Sequence, residues 1–186
     1  LMKDLYSFSR NQEEHEEFYE KAKEAYMNVF RRVGLGDITY ITSASGGSFS
    51  KYSHEFQTVC DAGEDTIYVD KEKGIAINEE IIDGEDVDKD KLEKMQATEV
   101  GNIFSLGTKY SDALGLLYRD EQGDQVPVFM GSYGIGPART MGTVAEIYAD
   151  EKGLVWPSAV APFRVHLISL AGVEVEADKV YDYLIK

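Results

Sequence analysis

The chain has very few of the residues from which disulfide frameworks and metal centres are built. It contains one cysteine and three histidines in 186 residues. Cys60 alone excludes a disulfide framework and a cysteine-based zinc site. His15, His54 and His166 are not spaced as metal ligands. No apolar run approaches the ~20 residues of a membrane span, and no stretch resembles a signal peptide. We therefore expect a soluble, cytoplasmic protein that makes no contact with a membrane.

Basic residues are also scarce. Nineteen lysines and arginines stand against 34 aspartates and glutamates, which gives a net charge of −15. Proteins that bind nucleic acid usually present a basic face, because phosphate contacts supply most of their non-specific affinity. We expect this chain alone to bind nucleic acid poorly. The acidic stretch at residues 79–94 is interpreted as a solvated linker or a short charged helix.

The most informative stretch is Met-Gly-Ser-Tyr-Gly-Ile-Gly-Pro-Ala-Arg at residues 130–139. Two glycines interrupt a predicted strand over residues 126–135, and a third follows it directly. Glycine in a strand usually marks close approach by a ligand or another backbone. Pro137 suits the first position of a helix, and Arg139 then lies in its first turn. A bare sheet surface beside an arginine suits a flat anionic ligand such as a nucleotide. A glycine-rich strand and turn with a solvent-facing arginine is the alternative interpretation.

Two common phosphate-binding loops are missing from the sequence. A Walker loop requires Gly, four residues and then Gly-Lys-Ser/Thr, and the dinucleotide fingerprint requires G-x-G-x-x-G between a strand and a helix. In this chain the order is G-x-x-G-x-G, and the glycines lie in the predicted strand and at its end. Kinase and Rossmann interpretations are therefore disfavoured.

The hydrophobic pattern predicts helices alternating with mainly antiparallel strands. A first helix is predicted to begin at a capping box of Ser9 and Gln12 and to carry apolar residues at helical spacing: Phe18, Ala22, Ala25, Tyr26, Val29 and Val33. Strands are predicted at residues 38–44, 54–60, 66–69, 75–78, 99–106, 126–135 and 163–170. Further helices are predicted at residues 109–114, after Pro137, and at residues 174–185. In the helix after Pro137, the expected core side is formed by Met141, Val144, Ala145 and Tyr148.

Five blocks resemble, in the same order, the class II aminoacyl-tRNA synthetases of the bacterial prolyl type. Residues 130–139 resemble their motif 3 and residues 1–8 (LMKDLYSF) the second strand of motif 2. Residues 46–57 resemble the G-G-S-x-S-H-E-F block, residues 99–111 the block before motif 3, and residues 153–163 the exit from the catalytic core. The resemblance implies an α+β fold with a class II antiparallel sheet flanked by helices over residues 1–160. Residues 161–186 would begin an α/β anticodon-binding domain, and the chain would be a piece of a longer protein.

The resemblance also implies an activity. Such enzymes condense proline with ATP to prolyl-adenylate and pyrophosphate, with Mg²⁺, and then transfer proline to tRNA(Pro). Arg139 matches the catalytic arginine that reaches the triphosphate. The implied ATP-binding residues are Gln57, Glu99, Gly134, Gly136 and Arg139, and Glu99 would also lie near the Mg²⁺. The implied proline pocket consists of Met2, Asp4, Tyr6, His54, Thr108 and Ser132.

Several expectations concern the full-length protein. It is expected to be a homodimer, and residues 1–186 alone are expected to be inactive because the motif 2 arginine lies upstream of Leu1. Fewer than twenty residues separate Ile82 from Glu99, so the editing domain that bacterial relatives insert there is missing. Residues 49–53 exceed the family spacing before His54, and that loop is expected to differ.

Two alternatives remain open from the sequence. The chain could be a non-catalytic, synthetase-like module that binds a ligand or a partner protein. It could also belong to a threonyl- or seryl-type relative, although the L-G-T-K-Y-S segment at residues 106–111 favours proline.

Overall fold

The computed structural model describes the backbone of residues 1–186 and every side chain except that of Tyr52. The strands are β1 Lys3–Ser9, β2 Thr39–Ser45, β3 Tyr52–Val59, β4 Asp65–Asp70, β5 Ile75–Asn78, β6 Glu93–Gly107, β7 Leu117–Arg119, β8 Gln125–Pro127, β9 Phe129–Ile135, β10 Ala149–Asp150 and β11 Gly153–Leu154. The helices are α1 Gln12–Arg32, α2 Lys109–Leu114, α3 Pro137–Tyr148 and α4 Glu174–Leu184. This α+β architecture confirms the expected fold class.

One seven-stranded sheet organises the molecule, in the order β1-β9-β6-β3-β2-β5-β4. Its pairs are antiparallel except for β2 and β5, which run parallel. The long strand β6 pairs with β4 through residues 93–97, with β3 through residues 97–104 and with β9 through residues 101–107. Strands β7 and β8 form a separate hairpin around residues 120–124, where aspartate and glycine favour a turn.

Helix α1 begins later than predicted. Its N-cap is Asn11, whose Oδ1 accepts a hydrogen bond from the Glu14 N–H at 2.9 Å. The predicted capping box of Ser9 and Gln12 is wrong because Ser9 is still part of β1, where it pairs with Phe129. The side chain of Asn11 therefore satisfies one of the free N–H groups at the start of the helix.

The core forms where α1 packs on one face of the sheet. The buried residues of α1 are His15, Tyr19, Ala22, Tyr26 and Phe30. Together they pack against Phe56, Val100, Ile103, Tyr133 and Ile135 of the sheet and against Val144 of α3. The predicted apolar set was partly wrong, since Phe18 and Val29 are each 38% exposed. The large aromatic residues of α1 contact the sheet, and Phe18 and Val29 lie to the side of that contact.

Two other regions differ from the prediction. The single strand expected at residues 126–135 is divided at Val128, whose carbonyl accepts a hydrogen bond from the Ser111 hydroxyl at 2.6 Å. The acidic stretch contains two short 3-10 turns, Ile82–Gly84 and Lys89–Lys91, and β6 then begins at Glu93. The short helix α2 has the predicted bounds.

The C-terminal segment is only partly as predicted. Helix α4 forms, but the strand expected at residues 163–170 does not. No strand of the described chain pairs with that segment, and an unpaired strand leaves its backbone hydrogen-bonding groups unsatisfied. Its apolar side chains are accordingly exposed, with Phe163 at 80%.

In α3, Met141 is 59% exposed and is not part of the core. Every helix in the described chain is too short or too polar to span a lipid bilayer.

Replacing Phe30 by alanine should destabilise the fold strongly. Phe30 is 0% exposed and packs on Phe56 with ring centroids 5.4 Å apart. Loss of such a side chain typically costs about 3–5 kcal/mol. Urea unfolding followed by circular dichroism measures the change, and Phe163→Ala, at 80% exposure, is the matched control. Equal stabilities of the two variants would contradict this packing.

Candidate functional site

The two faces of the sheet have different environments. On β1, Lys3 and Ser7 point towards α1, with the Lys3 ammonium hydrogen-bonded to the Tyr26 hydroxyl and Ser7 Oγ 2.9 Å from the Tyr133 hydroxyl. Because side chains alternate along a strand, Asp4 and Tyr6 lie on the opposite face. That face carries no helix, and we call it the open face. Across β1, β9, β6 and β3 it consists of Met2, Asp4, Tyr6, Ser132, Gly134, Glu99, Asn102, Phe104, Ser53, Glu55 and Gln57.

The strand register brings most of the predicted amino-acid pocket together. Tyr6 lies opposite Ser132, which lies opposite Phe104. One step along, Asp4 lies opposite Gly134, and Met2 reaches over that glycine. Met2, Asp4, Tyr6 and Ser132 therefore share one patch of the open face.

Thr108 lies apart from that patch along the chain. It follows β6 as the N-cap of α2, and its carbonyl accepts hydrogen bonds from the Ser111 hydroxyl at 3.0 Å and the Asp112 N–H at 2.8 Å. Its side chain makes no capping hydrogen bond. A contact between Thr108 and a substrate stays a prediction.

The assignment of His54 to that pocket is wrong. His54 pairs in register with Ile103 and therefore points to the face covered by α1. Its Nδ1 lies 2.9 Å from the Tyr19 hydroxyl, and burial lowers the pKa of His54 to about 4. The imidazole is thus neutral and part of the packing between α1 and the sheet, on the far side from Asp4.

The glycine-rich strand β9 does leave a bare surface. A side chain at Gly134 would place its Cβ 3.0 Å from Asn102 Oδ1 and 3.1 Å from Met2 Cε. A Cβ on Gly136 would lie 3.4 Å from the Cβ of Arg139. The Gly136 N–H donates a hydrogen bond to the Val100 carbonyl at 3.1 Å. Gly134 therefore keeps the floor between Asp4 and Asn102 clear of side-chain atoms. A role of these two glycines in binding a nucleotide stays a prediction.

Arg139 lies at the edge of the open face, in the first turn of α3 behind Pro137. Its guanidinium donates to the Glu99 carbonyl at 3.1 Å and pairs with the Glu99 carboxylate at 3.3 Å and the Glu64 carboxylate at 3.2 Å. A cation is disfavoured at a helix N-terminus, and these carboxylates offset that cost. The side chain remains 45% exposed, so an anionic ligand can compete for it.

Gln57 is placed differently from the prediction. It is 0% exposed, and its Nε2 donates to Glu55 at 2.9 Å and to Asp65 at 2.7 Å. Its Oε1 has no hydrogen-bond partner among the described residues. Burial raises the pKa of Glu55 to about 7, although hydrogen bonds from Gln57 and Asn78 act in the opposite direction. The buried Gln57 side chain thus holds the carboxylates of Glu55 and Asp65 in place. Its direct contact with ATP stays a prediction.

An acidic cavity of about 400 Å³ adjoins Arg139. It is lined by Glu55, Glu64, Asp65, Thr66, Asn78, Glu79, Glu80 and Glu99. Carboxylate oxygens are the ligands that Mg²⁺ prefers. Within the described residues, however, no group of three or more His, Cys, Asp or Glu side chains is arranged to hold a metal ion. The carboxylate oxygens of this cavity suit a hard cation that is already bound to a ligand. The role of Glu99 towards Mg²⁺ stays a prediction.

Sequence reasoning missed several residues of this site. Strand alternation places Glu55 on the same face as Gln57, opposite His54, and this is the signal by which Glu55 could have been found. Glu64 and Asp65 end a polar stretch, residues 61–65, whose composition is typical of a turn. Their contacts with Arg139 and Gln57 depend on tertiary structure, and no local signal in the sequence predicts them.

The chain belongs to the tRNA synthetase class II core domain family (G, H, P, S and T), whose family model matches residues 1–148. It is 40% identical to a proline--tRNA ligase of Rickettsia prowazekii (strain Madrid E), over 91% of this chain and 43% of that protein. It is also 40% identical to the proline--tRNA ligase of Rickettsia typhi (strain ATCC VR-144 / Wilmington), over 91% of this chain and 44% of that protein. The chain thus spans less than half the length of these relatives.

Two solved structures share the fold. The prolyl-tRNA synthetase of Cryptosporidium parvum complexed with L-proline and AMP superposes with a TM-score of 0.65 at 16% identity, over 99% of this chain and 34% of that one. The same enzyme complexed with halofuginone and AMPPNP gives a TM-score of 0.67 at 16% identity, over 99% and 33%. The expected class II sheet is thereby confirmed.

The raised pKa of Glu55 predicts a measurable effect on stability. The folded chain binds a proton at Glu55 more tightly than the unfolded chain, whose ordinary value is 4.5. The ionisation of Glu55 therefore lowers the free energy of unfolding as pH rises from 4.5 towards about 7. Glu55→Gln should be increasingly stable relative to the unmutated chain from pH 5 to pH 8, measured by urea unfolding. Exposed Glu121→Gln controls for the lost charge, and a stability difference independent of pH would refute the assignment.

Proposed function

We propose that this chain is the central part of the catalytic domain of a proline--tRNA ligase, which activates proline with ATP and transfers it to tRNA(Pro). One observation carries the proposal: the open face places Asp4, Tyr6 and Ser132 beside a side-chain-free strip at Gly134 that leads to Arg139. Such a face offers a carboxylate for an amine and an arginine for phosphate. The similarity to proline--tRNA ligases over 91% of this chain supports the same conclusion.

The amino-acid end of the face suits proline. The exposed carboxylate of Asp4 can pair with the secondary ammonium, and Met2 and Tyr6 on the same face can enclose the apolar ring. Ser132 is small and lies between Tyr6 and Phe104 in the register, so it leaves room for a compact ring. The Cryptosporidium parvum enzyme of the same fold was solved with L-proline and AMP.

The nucleotide end depends on Arg139. The planar guanidinium can exchange its carboxylate partners, Glu64 and Glu99, for phosphate oxygens in the same fork geometry. The neighbouring acidic cavity would repel a triphosphate, so ATP should bind as its magnesium complex, with Glu99 facing the cation. Gly134 and Gly136 would leave space for the adenosine moiety along β9.

The reaction proceeds without a covalent enzyme intermediate. The carboxylate of proline attacks the α-phosphorus of ATP, and pyrophosphate leaves. A hydroxyl of the tRNA terminus then attacks the carbonyl of prolyl-adenylate, and AMP leaves. The residues of this chain would orient the two anions and stabilise the growing negative charge, which are large contributions to catalysis.

The rest of the full-length protein is expected to supply the contacts with tRNA. The net charge of −15 leaves this part of the protein poorly suited to bind the phosphate backbone of a nucleic acid. We propose that residues 161–186 begin an anticodon-binding domain and that the full-length protein is a homodimer. The non-catalytic module is less favoured, since the relatives it resembles are ligases and Arg139 is retained.

Arg139→Ala in the full-length protein should slow proline-dependent ATP–pyrophosphate exchange by about 10²–10³. Arg139→Lys should recover little of the rate, because lysine lacks the planar fork. The matched control is Arg10→Ala, which removes an exposed arginine that also pairs with a glutamate, Glu14. Near-normal exchange in either Arg139 variant would mean that Arg139 is only a surface residue.

The full-length protein should not hydrolyse alanyl-tRNA(Pro) unless an editing domain lies outside residues 1–186. Alanine should be activated at some rate, since a smaller substrate loses only about 1–3 kcal/mol of contacts. Between Asn78 and Glu93 the chain forms two short 3-10 turns and has no room for an editing domain. The assay is deacylation of preformed alanyl-tRNA(Pro), with an insertion-containing bacterial relative as the positive control. Hydrolysis above the enzyme-free background would show that editing occurs in this protein.

A further inference from the structure

The two terminal nitrogens of the Arg139 guanidinium have different partners. Nη1 donates to the Glu99 main-chain carbonyl at 3.1 Å and lies 3.3 Å from the Glu99 carboxylate. Nη2 lies 3.2 Å from the carboxylate of Glu64. One end of the guanidinium is therefore attached to β6, and the other end is attached to the turn between β3 and β4, residues 60–64.

The contact with Glu99 is the more permanent of the two. Glu99 lies within β6, opposite Gln57 of β3, and its side chain is 23% exposed. Its carboxylate also accepts a hydrogen bond from the Asn102 amide at 2.7 Å. The main-chain carbonyl of a paired strand is held by the sheet and cannot rotate away. This contact therefore keeps the Nη1 end of Arg139 in place when a ligand binds.

The contact with Glu64 can be broken by rotation of one side chain. The Glu64 side chain is 68% exposed, and that of Arg139 is 45% exposed, so both members of the ion pair reach solvent. The main chain on either side of Glu64 is fixed. Gly63 lies against the main chain of β6, where a Cβ would have no room, and the Asp65 carboxylate accepts a hydrogen bond from the Gln57 amide at 2.7 Å. The turn can therefore stay in place while the Glu64 carboxylate leaves Arg139.

We propose that Glu64 is a placeholder for phosphate, whose carboxylate pairs with Nη2 of Arg139 when no nucleotide is bound and turns away when ATP binds. The proposal rests on the proposed function and adds to it a competitor for the arginine that binds ATP. Carboxylate and phosphate oxygens both match the donors of a guanidinium. The ion pair also offsets the cost of a cation at the start of α3, so Arg139 keeps one orientation before ATP arrives.

The competition has a predictable size. A carboxylate that stayed at Nη2 would repel the triphosphate, because like charges at close range disfavour each other. ATP therefore has to displace Glu64, and its apparent affinity is lowered by the strength of the ion pair. Because ion pairs between exposed side chains are weak, the presence of Glu64 should weaken ATP binding by about two- to fivefold.

The test is isothermal titration calorimetry of the full-length protein with a non-hydrolysable ATP analogue and saturating Mg²⁺. Glu64→Gln keeps the size of the side chain and removes its charge, and it should lower the Kd about two- to fivefold. The matched control, Asp61→Asn, removes a carboxylate from the same turn. Among the described side chains Arg139 pairs with Glu64 and Glu99 and not with Asp61. The control should change the Kd by less than about 1.5-fold, since unpaired exposed charges are largely screened by salt.

The same substitution in an Arg139→Ala background separates the ion pair from general repulsion. If Glu64 acts through Arg139, Glu64→Gln should change the Kd of the Arg139→Ala protein by less than about 1.5-fold. An equal gain of affinity in both backgrounds, or an unchanged Kd in Glu64→Gln alone, would overturn the proposal. Weaker binding by Glu64→Gln would also overturn it, since Glu64 would then hold the magnesium nucleotide. If the unmutated protein shows neither binding of the analogue nor proline-dependent exchange, the proposed function itself fails.

Discussion

The packing of α1 against one face of the sheet is the interaction on which the rest of the structure depends. Tyr19, Tyr26 and Phe30 meet Phe56 and Tyr133 there, and this aromatic contact forms the centre of the core. Because strand side chains alternate, the neighbour of a strand residue that points to α1 lies on the open face. The helix thus determines which side chains a ligand can reach.

Charge on the open face is arranged in two parts. Asp4 lies on the edge strand β1, and the larger acidic group around Glu55 and Glu99 lies beyond Asn102. Arg139 in the first turn of α3 connects the helix to that group through ion pairs with Glu64 and Glu99. A ligand with an amine at one end and phosphates carrying a divalent cation at the other would match this order. The same order would allow an acidic protein to bind the anionic nucleotide proposed above.

Local features of the fold were predictable from the sequence, whereas features set by tertiary pairing were not. Pro137 marked the start of α3 correctly, because its fixed φ and missing N–H suit a first helical position. Asn11 was missed as the cap of α1, since nothing local shows that Ser9 remains in β1. His54 was placed in the pocket by resemblance, although strand alternation sets it beside Phe56 on the covered face. The ion pair of Glu64 with Arg139 joins distant parts of the chain and has no local signal.

The central claim is that the open face binds both substrates at once. A crystal structure of the full-length protein with L-proline and a non-hydrolysable ATP analogue tests it most directly. Proline should lie beside Asp4, Tyr6 and Ser132, and the triphosphate should contact Arg139 after its release from Glu64. Substrates bound on the α1 side of the sheet, or a triphosphate that does not contact Arg139, would contradict it.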